Sequence, residues 1–231
     1  DVNERRAGER LAELLDGMPV SRSADVVAER GEFERTSTCV INAYLTPVMS
    51  RYLDTLRGEL ADNGVTAPVN IMGSNGGAMP LERAARYVVG TFLSGPVGGA
   101  AGAVRMCDMA GVNDCITFDM GGTSTDVALI HDLTPRMSHD NQIDAYPLRV
   151  PQYDIHTIGA GGGSIIWVQP DGTLGVGPQS AGAMPGPACY GRGGTEATMS
   201  DANLLLGRLP EGRSLSGGLE LSRDLAEAAF Q

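Results

Sequence analysis

The sequence predicts an α/β fold, and three observations carry that expectation. Two apolar strand-like runs flank Gly121-Gly122 between Ile116 and Ile130, apolar residues recur at helical spacing from Glu34 to Asp62, and a run of small residues from Gly95 to Gly111 leads into the strand pair.

In chain order, Glu4 to Leu15 reads as a short helix and Val20 to Ser23 as an extended piece. Glu34 to Asp62 reads as a long amphipathic helix ended by Asn63-Gly64, with Ile41, Leu45, Val48, Tyr52, Leu56 and Leu60 as one buried stripe. Pro47 interrupts it and predicts a kink or a late start. Val69 to Met72 is a short strand running into Gly73-Ser74-Asn75-Gly76-Gly77, and Leu81 to Tyr87 is another helix. Gly95 to Gly111 is a helix whose small residues permit close approach to a sheet or neighbour. Strands follow at Cys115 to Phe118, Thr125 to His131 and Thr134 to Ser138. Ile165 to Val168 and Leu174 to Val176 form a hairpin about Pro170-Asp171-Gly172, and helices at Asp201 to Leu206 and Arg223 to Phe230 close the chain.

The chemistry concentrates in the first hairpin. Asp119, Gly121, Gly122, Thr123, Ser124, Thr125 and Asp126 pack two carboxylates and three hydroxyls around two glycines. Glycines there permit φ > 0, remove the Cβ atoms that would block an oxyanion, and let successive N–H groups form an anion-binding concavity. A carboxylate beside a polyphosphate repels it unless a divalent cation lies between, so Asp119 and Asp126 read as partners of hydrated Mg²⁺ or of a water. The implied ligand is Mg·ATP. The alternative is an ordinary turn, for which Gly-Gly is sufficient. The chain contains no G-x-x-x-x-G-K-[ST] loop and no strand-linked G-x-G-x-x-G followed by an acid.

Gly161, Gly162 and Gly163, with Ser164 after them, form a second candidate, because bare N–H groups there can approach a ribose, a phosphate or a substrate carboxylate. A glycine-rich crossover that lets two layers touch explains the same residues. His156 beside Asp154 reads as a base with its orienter or as a metal ligand, and equally as a structural histidine. Asn75 can touch a nucleotide or simply end a strand, Ser94 to Gly99 opens a helix where an anion is favoured, and Cys189 lacks an evident activator.

Composition narrows the classes. A hydrophobic share of 42% over 231 residues supports a packed core, and a net charge of −11 argues against nucleic acid or an anionic membrane as partner. No apolar run reaches the length of a membrane span. Cys39, Cys107, Cys115 and Cys189 lack C-x-x-C spacing and read as reduced thiols of a cytoplasmic protein.

Asp119 to Val127 resembles the second phosphate motif of the hydantoinase A / 5-oxoprolinase family, whose fold is similar to that of the sugar kinase, Hsp70 and actin ATPases. Glu34-Arg35-Thr36-Ser37-Thr38, Asn42 to Leu45, Met72 to Gly77, Leu93 to Gly99, Asp154 to Ser164, Gly186 to Gly191 and Asp201-Ala202-Asn203 agree with that family in order. The resemblance implies a ribonuclease H-like lobe at residues 113–231, preceded at 1–112 by a helical and short-strand region. Such proteins carry a first D-x-G-G-T-x-T-D motif on an opposite lobe, and this chain has one such motif and begins at Asp1 without Met. The expectation is therefore one jaw of a two-jawed nucleotide site, its missing N-terminal lobe lying elsewhere on the same polypeptide.

By the same resemblance ATP would phosphorylate the carbonyl oxygen of a cyclic amide such as a hydantoin, 5-oxoproline or another lactam. Asp119 would hold Mg²⁺ or its water, residues 121–125 would cradle the phosphates, and a B-type subunit or domain would take part. A carboxylase subunit of the acetone or acetophenone type and a non-catalytic ATP-driven conformational module are the alternatives.

Overall fold

The computed structural model describes residues 2–212 and 218–231. Its first part contains α1 (Val2–Leu14), α2 (Ser23–Val26), α3 (Glu32–Asp62), β1 (Asn70–Met72), β2 (Ala78–Pro80), α4 (Leu81–Ala84), a 3-10 turn (Val88–Thr91) and α5 (Ser94–Ala110). Then come β3 (Cys115–Met120), β4 (Thr125–His131), β5 (Thr134–Pro135), β6 (Met137–Ser138), β7 (Asn141–Ile143), β8 (Tyr146–Leu148), β9 (Gln152–Tyr153) and β10 (Ile155–Ile158). The chain closes with β11 (Ser164–Val168), β12 (Leu174–Ser180), a 3-10 turn (Ala188–Tyr190), α6 (Met199–Leu205) and α7 (Arg223–Ala229).

Two compact units divide these elements, one of residues 1–115 with 129–154, the other of residues 116–128 with 155–231. A single cut near residue 112 does not describe them. Residues 129–154 belong with the N-terminal helices because β8 delivers Leu148, followed by Val150, into a core with Val26 and Val89.

In the first unit α3 runs without a break from Glu32 through Pro47 to Asp62, so the late start expected from Pro47 does not occur. Ala43 and Pro47 both lie on the exposed side. The buried face of α3 also differs from the apolar stripe read from periodicity. Val48 and Tyr52 are each 59% exposed, whereas Thr38, Asn42, Thr46 and Leu53 are buried. Polar residues face inward because three segments use their hydrogen bonds. The Thr38 hydroxyl donates to Glu34 O and accepts from Arg149 N–H, at 2.8 and 2.9 Å. Asn42 Nδ2 donates to Arg86 O and to Ser21 Oγ, and Asn42 Oδ1 accepts from Val89 N–H. That tether also explains why the helix expected to reach Tyr87 stops at Ala84 and re-forms as the 3-10 turn.

Helix α5 matches its expected span, but three of its glycines, Gly95, Gly98 and Gly102, do not mediate close packing among the described residues. A Cβ at Gly95, Gly98 or Gly102 would meet nothing within 4 Å, and Val97 and Ala100 make the buried face.

In the second unit the strand order is β10-β4-β3, with β10 antiparallel to β4 through Ile158↔Thr125, Thr157↔Asp126, His156↔Val127 and Ile155↔Ala128. Strands β11 and β12 make a separate hairpin. Cys189, Leu204, Leu221 and Ala226 form this unit's apolar cluster.

Candidate nucleotide-phosphate site

The turn between β3 and β4 is closed by Gly121 N–H donating to Ser124 O at 2.9 Å. Strand β3 lies beside β4, and farther from the turn the Thr117 hydroxyl accepts from Ala128 N–H at 2.9 Å. Neither Gly121 nor Gly122 adopts the left-handed φ expected of them. Their absent side chains serve another purpose. An added Cβ at Gly122 would meet nothing within 4 Å and one at Gly121 only Ser124 O at 3.5 Å, so the outer surface of the turn is bare backbone.

The triple-glycine loop lies directly on this turn. Gly162 N–H donates to Gly121 O at 2.9 Å and Gly163 N–H to Gly122 O at 2.6 Å. A Cβ at Gly161 would stand 2.6 Å from Ser124 N and 2.7 Å from both Gly121 O and Thr123 C, a separation no side chain can occupy. Gly161 N–H donates to the buried Ser164 hydroxyl, Ser164 N–H to Gly161 O, and Ala160 N–H to Ile158 O. The bare loop donors expected at Gly161, Gly162, Gly163 and Ser164 are therefore engaged within the protein. Sequence reasoning counted these donors as free because hydrogen bonds to a hairpin some 40 residues away leave no local signature.

The engaged carbonyls orient the turn. In a trans peptide the C=O and N–H point in opposite directions. With Gly121 O and Gly122 O held in the loop, the N–H groups of Gly122 and Thr123 point away from it, and neither has an acceptor among the described residues. Two successive outward N–H groups are an arrangement that can receive an anion. The hydroxyls of Thr123 and Ser124 also lack hydrogen-bond partners among the described residues. Thr125 differs from the expected cradle, because its buried hydroxyl turns inward to donate to Ala160 O at 2.5 Å.

Asp119 is exposed, and among the described residues its carboxylate has no partner. Asp126 accepts from the Thr157 hydroxyl at 2.6 Å, a contact the sequence reading missed although β10 carries a strand-like alternation. The described residues contain no cluster of three His, Cys, Asp or Glu side chains able to hold a metal. Mg²⁺ requires less, since it keeps several waters and uses one or two carboxylates together with substrate phosphates. Asp119 and Asp126, which flank the turn in sequence, fit that donor chemistry.

His156 pairs in register with Val127, one residue from Thr157, so strand alternation sends it to the sheet face opposite Asp126. Asp154 lies 3.3 Å from Arg136 and does not orient it. Asn75 Oδ1 accepts from Gly77 N–H at 3.0 Å, which makes a local turn. Cys189 is fully buried, and burial, followed by the Asp201 carboxylate, pushes its thiol up to about 12. Asp201 accepts from Cys189 N–H and from the Thr198 N–H and hydroxyl, at 2.7, 2.9 and 2.7 Å, and so joins the Pro-Gly loop to the capping box of α6. No helix among the described residues is long and apolar enough to cross a membrane.

Residues 35–231 match the hydantoinase/oxoprolinase family. The chain is 39% identical over 229 residues to the caprolactamase subunit alpha of Pseudomonas jessenii, which spans 99% of this chain and 33% of that protein. The crystal structure of the ATP-dependent caprolactamase from the same organism superposes with a TM-score of 0.80 at 38% identity, covering 99% of this chain and 33% of the other. A nucleotide-free acetone carboxylase structure, from work on ATP-dependent acetone carboxylation, gives 0.78 at 29% identity, covering 99% and 33%. The chain thus spans about a third of the length of these relatives. With the family match running over residues 35–231, most of its length, the chain belongs to the hydantoinase/oxoprolinase family.

Proposed function

We propose that this chain supplies one phosphate-binding jaw of an ATP-dependent cyclic amide hydrolase. The observation that carries the proposal is the pair of outward N–H groups at Gly122 and Thr123, preset by two carbonyls that the glycine loop holds. Preset donors need no reorganisation when charge arrives, which is the condition for electrostatic catalysis. In this reading the sheet of β10, β4 and β3 belongs to a ribonuclease H-like lobe, and the opposite jaw and a B-type partner complete the enzyme.

Gly122 and Thr123 N–H, with the Thr123 and Ser124 hydroxyls, bind the polyphosphate. Asp119 holds Mg²⁺, which when bound neutralises phosphate charge, and Asp126 is kept in place by Thr157. An unstrained lactam is a poor electrophile. Transfer of the terminal phosphoryl group to its carbonyl oxygen releases ADP and makes the carbon open to water; the tetrahedral adduct then expels the protonated ring nitrogen as the amine, and a second water hydrolyses the resulting acyl phosphate to carboxylate and phosphate. The similarity to acetone carboxylase favours a second reading, in which the same jaw activates a substrate for carboxylation.

Asp119→Asn in the polypeptide at the length of its relatives tests the proposal, because it removes charge with little change of shape. Lactam-dependent ATP turnover should fall by a factor on the order of 10² or more with unchanged melting. Near-normal turnover would show the hairpin to be structural, and turnover that depends on a ketone and bicarbonate would select the carboxylase.

A further inference from the structure

Cys107 in the last turn of α5 and Cys115 at the start of β3 face each other with their sulfurs 3.1 Å apart, and both are free, half-buried thiols. That gap is only about 1 Å longer than a disulfide bond. The fold makes the approach. Helix α5 ends on Gly111 at φ 68, Val112 N–H donates to Cys107 O at 2.9 Å, and Leu133 N–H donates to Asn113 O at 2.9 Å. Asp114, next to Cys115, accepts from Asp132 N–H and pairs with His131 Nδ1 at 2.7 Å. The chain between the two sulfurs is therefore held at several points, and the nucleotide site uses neither thiol.

We propose that Cys107 and Cys115 form a redox modification site, a thiol pair that closes to an intramolecular disulfide by exchange with a low-molecular-weight disulfide such as oxidised glutathione. One cysteine thiolate attacks a sulfur of the reagent, forming a mixed disulfide and releasing one glutathione thiolate. The second cysteine thiolate then attacks the protein sulfur of that mixed disulfide and releases the other glutathione. Two protein thiols lose two electrons and two protons, and the reagent takes them up as two thiols. Half-burial leaves the reagent a path to the pair. The bond ties the end of α5 to the first residue of β3, the strand that carries Asp119.

The folded 231-residue chain is equilibrated with oxidised glutathione, remaining thiols are trapped with iodoacetamide, and the protein is digested with trypsin. Cleavage after Arg105 and Arg136 places both cysteines in one peptide, residues 106–136. The expected peptide is two hydrogens lighter than its reduced form, carries neither carboxamidomethyl nor glutathione, and regains both thiols with dithiothreitol. Cys107→Ser should leave Cys115 alkylated or glutathionylated. Finding both wild-type cysteines alkylated, both glutathionylated without a bond between them, or Cys115 joined to Cys39 or Cys189 would overturn the assignment.

Discussion

Replacing Gly161 by alanine puts one methyl group between the glycine loop and the turn that joins β3 to β4. The new carbon would lie 2.6 Å from Ser124 N and 2.7 Å from Gly121 O and Thr123 C. All three are backbone atoms, so none can swing aside as a side chain would. The φ of Gly161 is not left-handed, and the cost comes from contact alone. Overpacking of this kind costs about 1–3 kcal/mol. The two hydrogen bonds from Gly162 and Gly163 to the turn lengthen as the layers part, at about 1 kcal/mol each. A destabilisation of roughly 3 kcal/mol is therefore expected within this unit. Trp167, the one tryptophan of the chain, sits in the same unit and reports its unfolding in urea by fluorescence. Gly162→Ala is the control, because its methyl would meet the Ser200 hydroxyl at 2.9 Å, a group that can rotate. A Gly161→Ala midpoint within about 0.5 kcal/mol of wild type would refute the close approach of loop and turn.

Three further outcomes follow from individual contacts. Thr125→Val leaves Ala160 O without its buried donor and should cost about 1–3 kcal/mol with ATP affinity nearly unchanged, whereas Thr123→Ala should weaken ATP and spare stability; paired urea and ATP titrations distinguish them. Cys189, with its thiol held near 12, should resist iodoacetamide at pH 8 in the folded chain and react in urea, as mass mapping would show. The Ser23 hydroxyl, chief among its hydrogen-bond partners, holds Glu4 below its usual value, so its stabilisation is full above the unfolded glutamate pKa and is lost as pH falls through the lower folded value. Urea midpoints measured from neutral to acid pH should therefore fall less in Glu4→Gln than in wild type.

Much of this was legible in the sequence because local patterns dictate it. The Gly121-Gly122 turn, the helix over 95–111 and the hairpin about Pro170-Asp171-Gly172 each carry their own turn or periodicity signal. What the sequence concealed depends on partners distant along the chain. Thr38 and Asn42 are buried because Arg149, Arg86 and Val89 use their side chains, and no periodicity in α3 announces that. Likewise the three glycines at 161–163 attracted a ligand reading, while their contacts answer to the carbonyls of residues 121 and 122. The orientation of Gly122 and Thr123 N–H emerges only from the two segments together.

Gly122→Ala in the polypeptide at the length of its relatives tests the central claim most directly. No atom lies within 4 Å of the added methyl and the φ of Gly122 is not left-handed, so urea stability should stay within about 0.5 kcal/mol of wild type. If Gly122 and Thr123 N–H face the phosphates, the methyl intrudes on the oxyanion, and the ATP dissociation constant should rise at least about tenfold, or about 1.4 kcal/mol. Equal ATP affinity in the variant and the wild type, at equal stability, would contradict the assignment of this turn as the phosphate cradle.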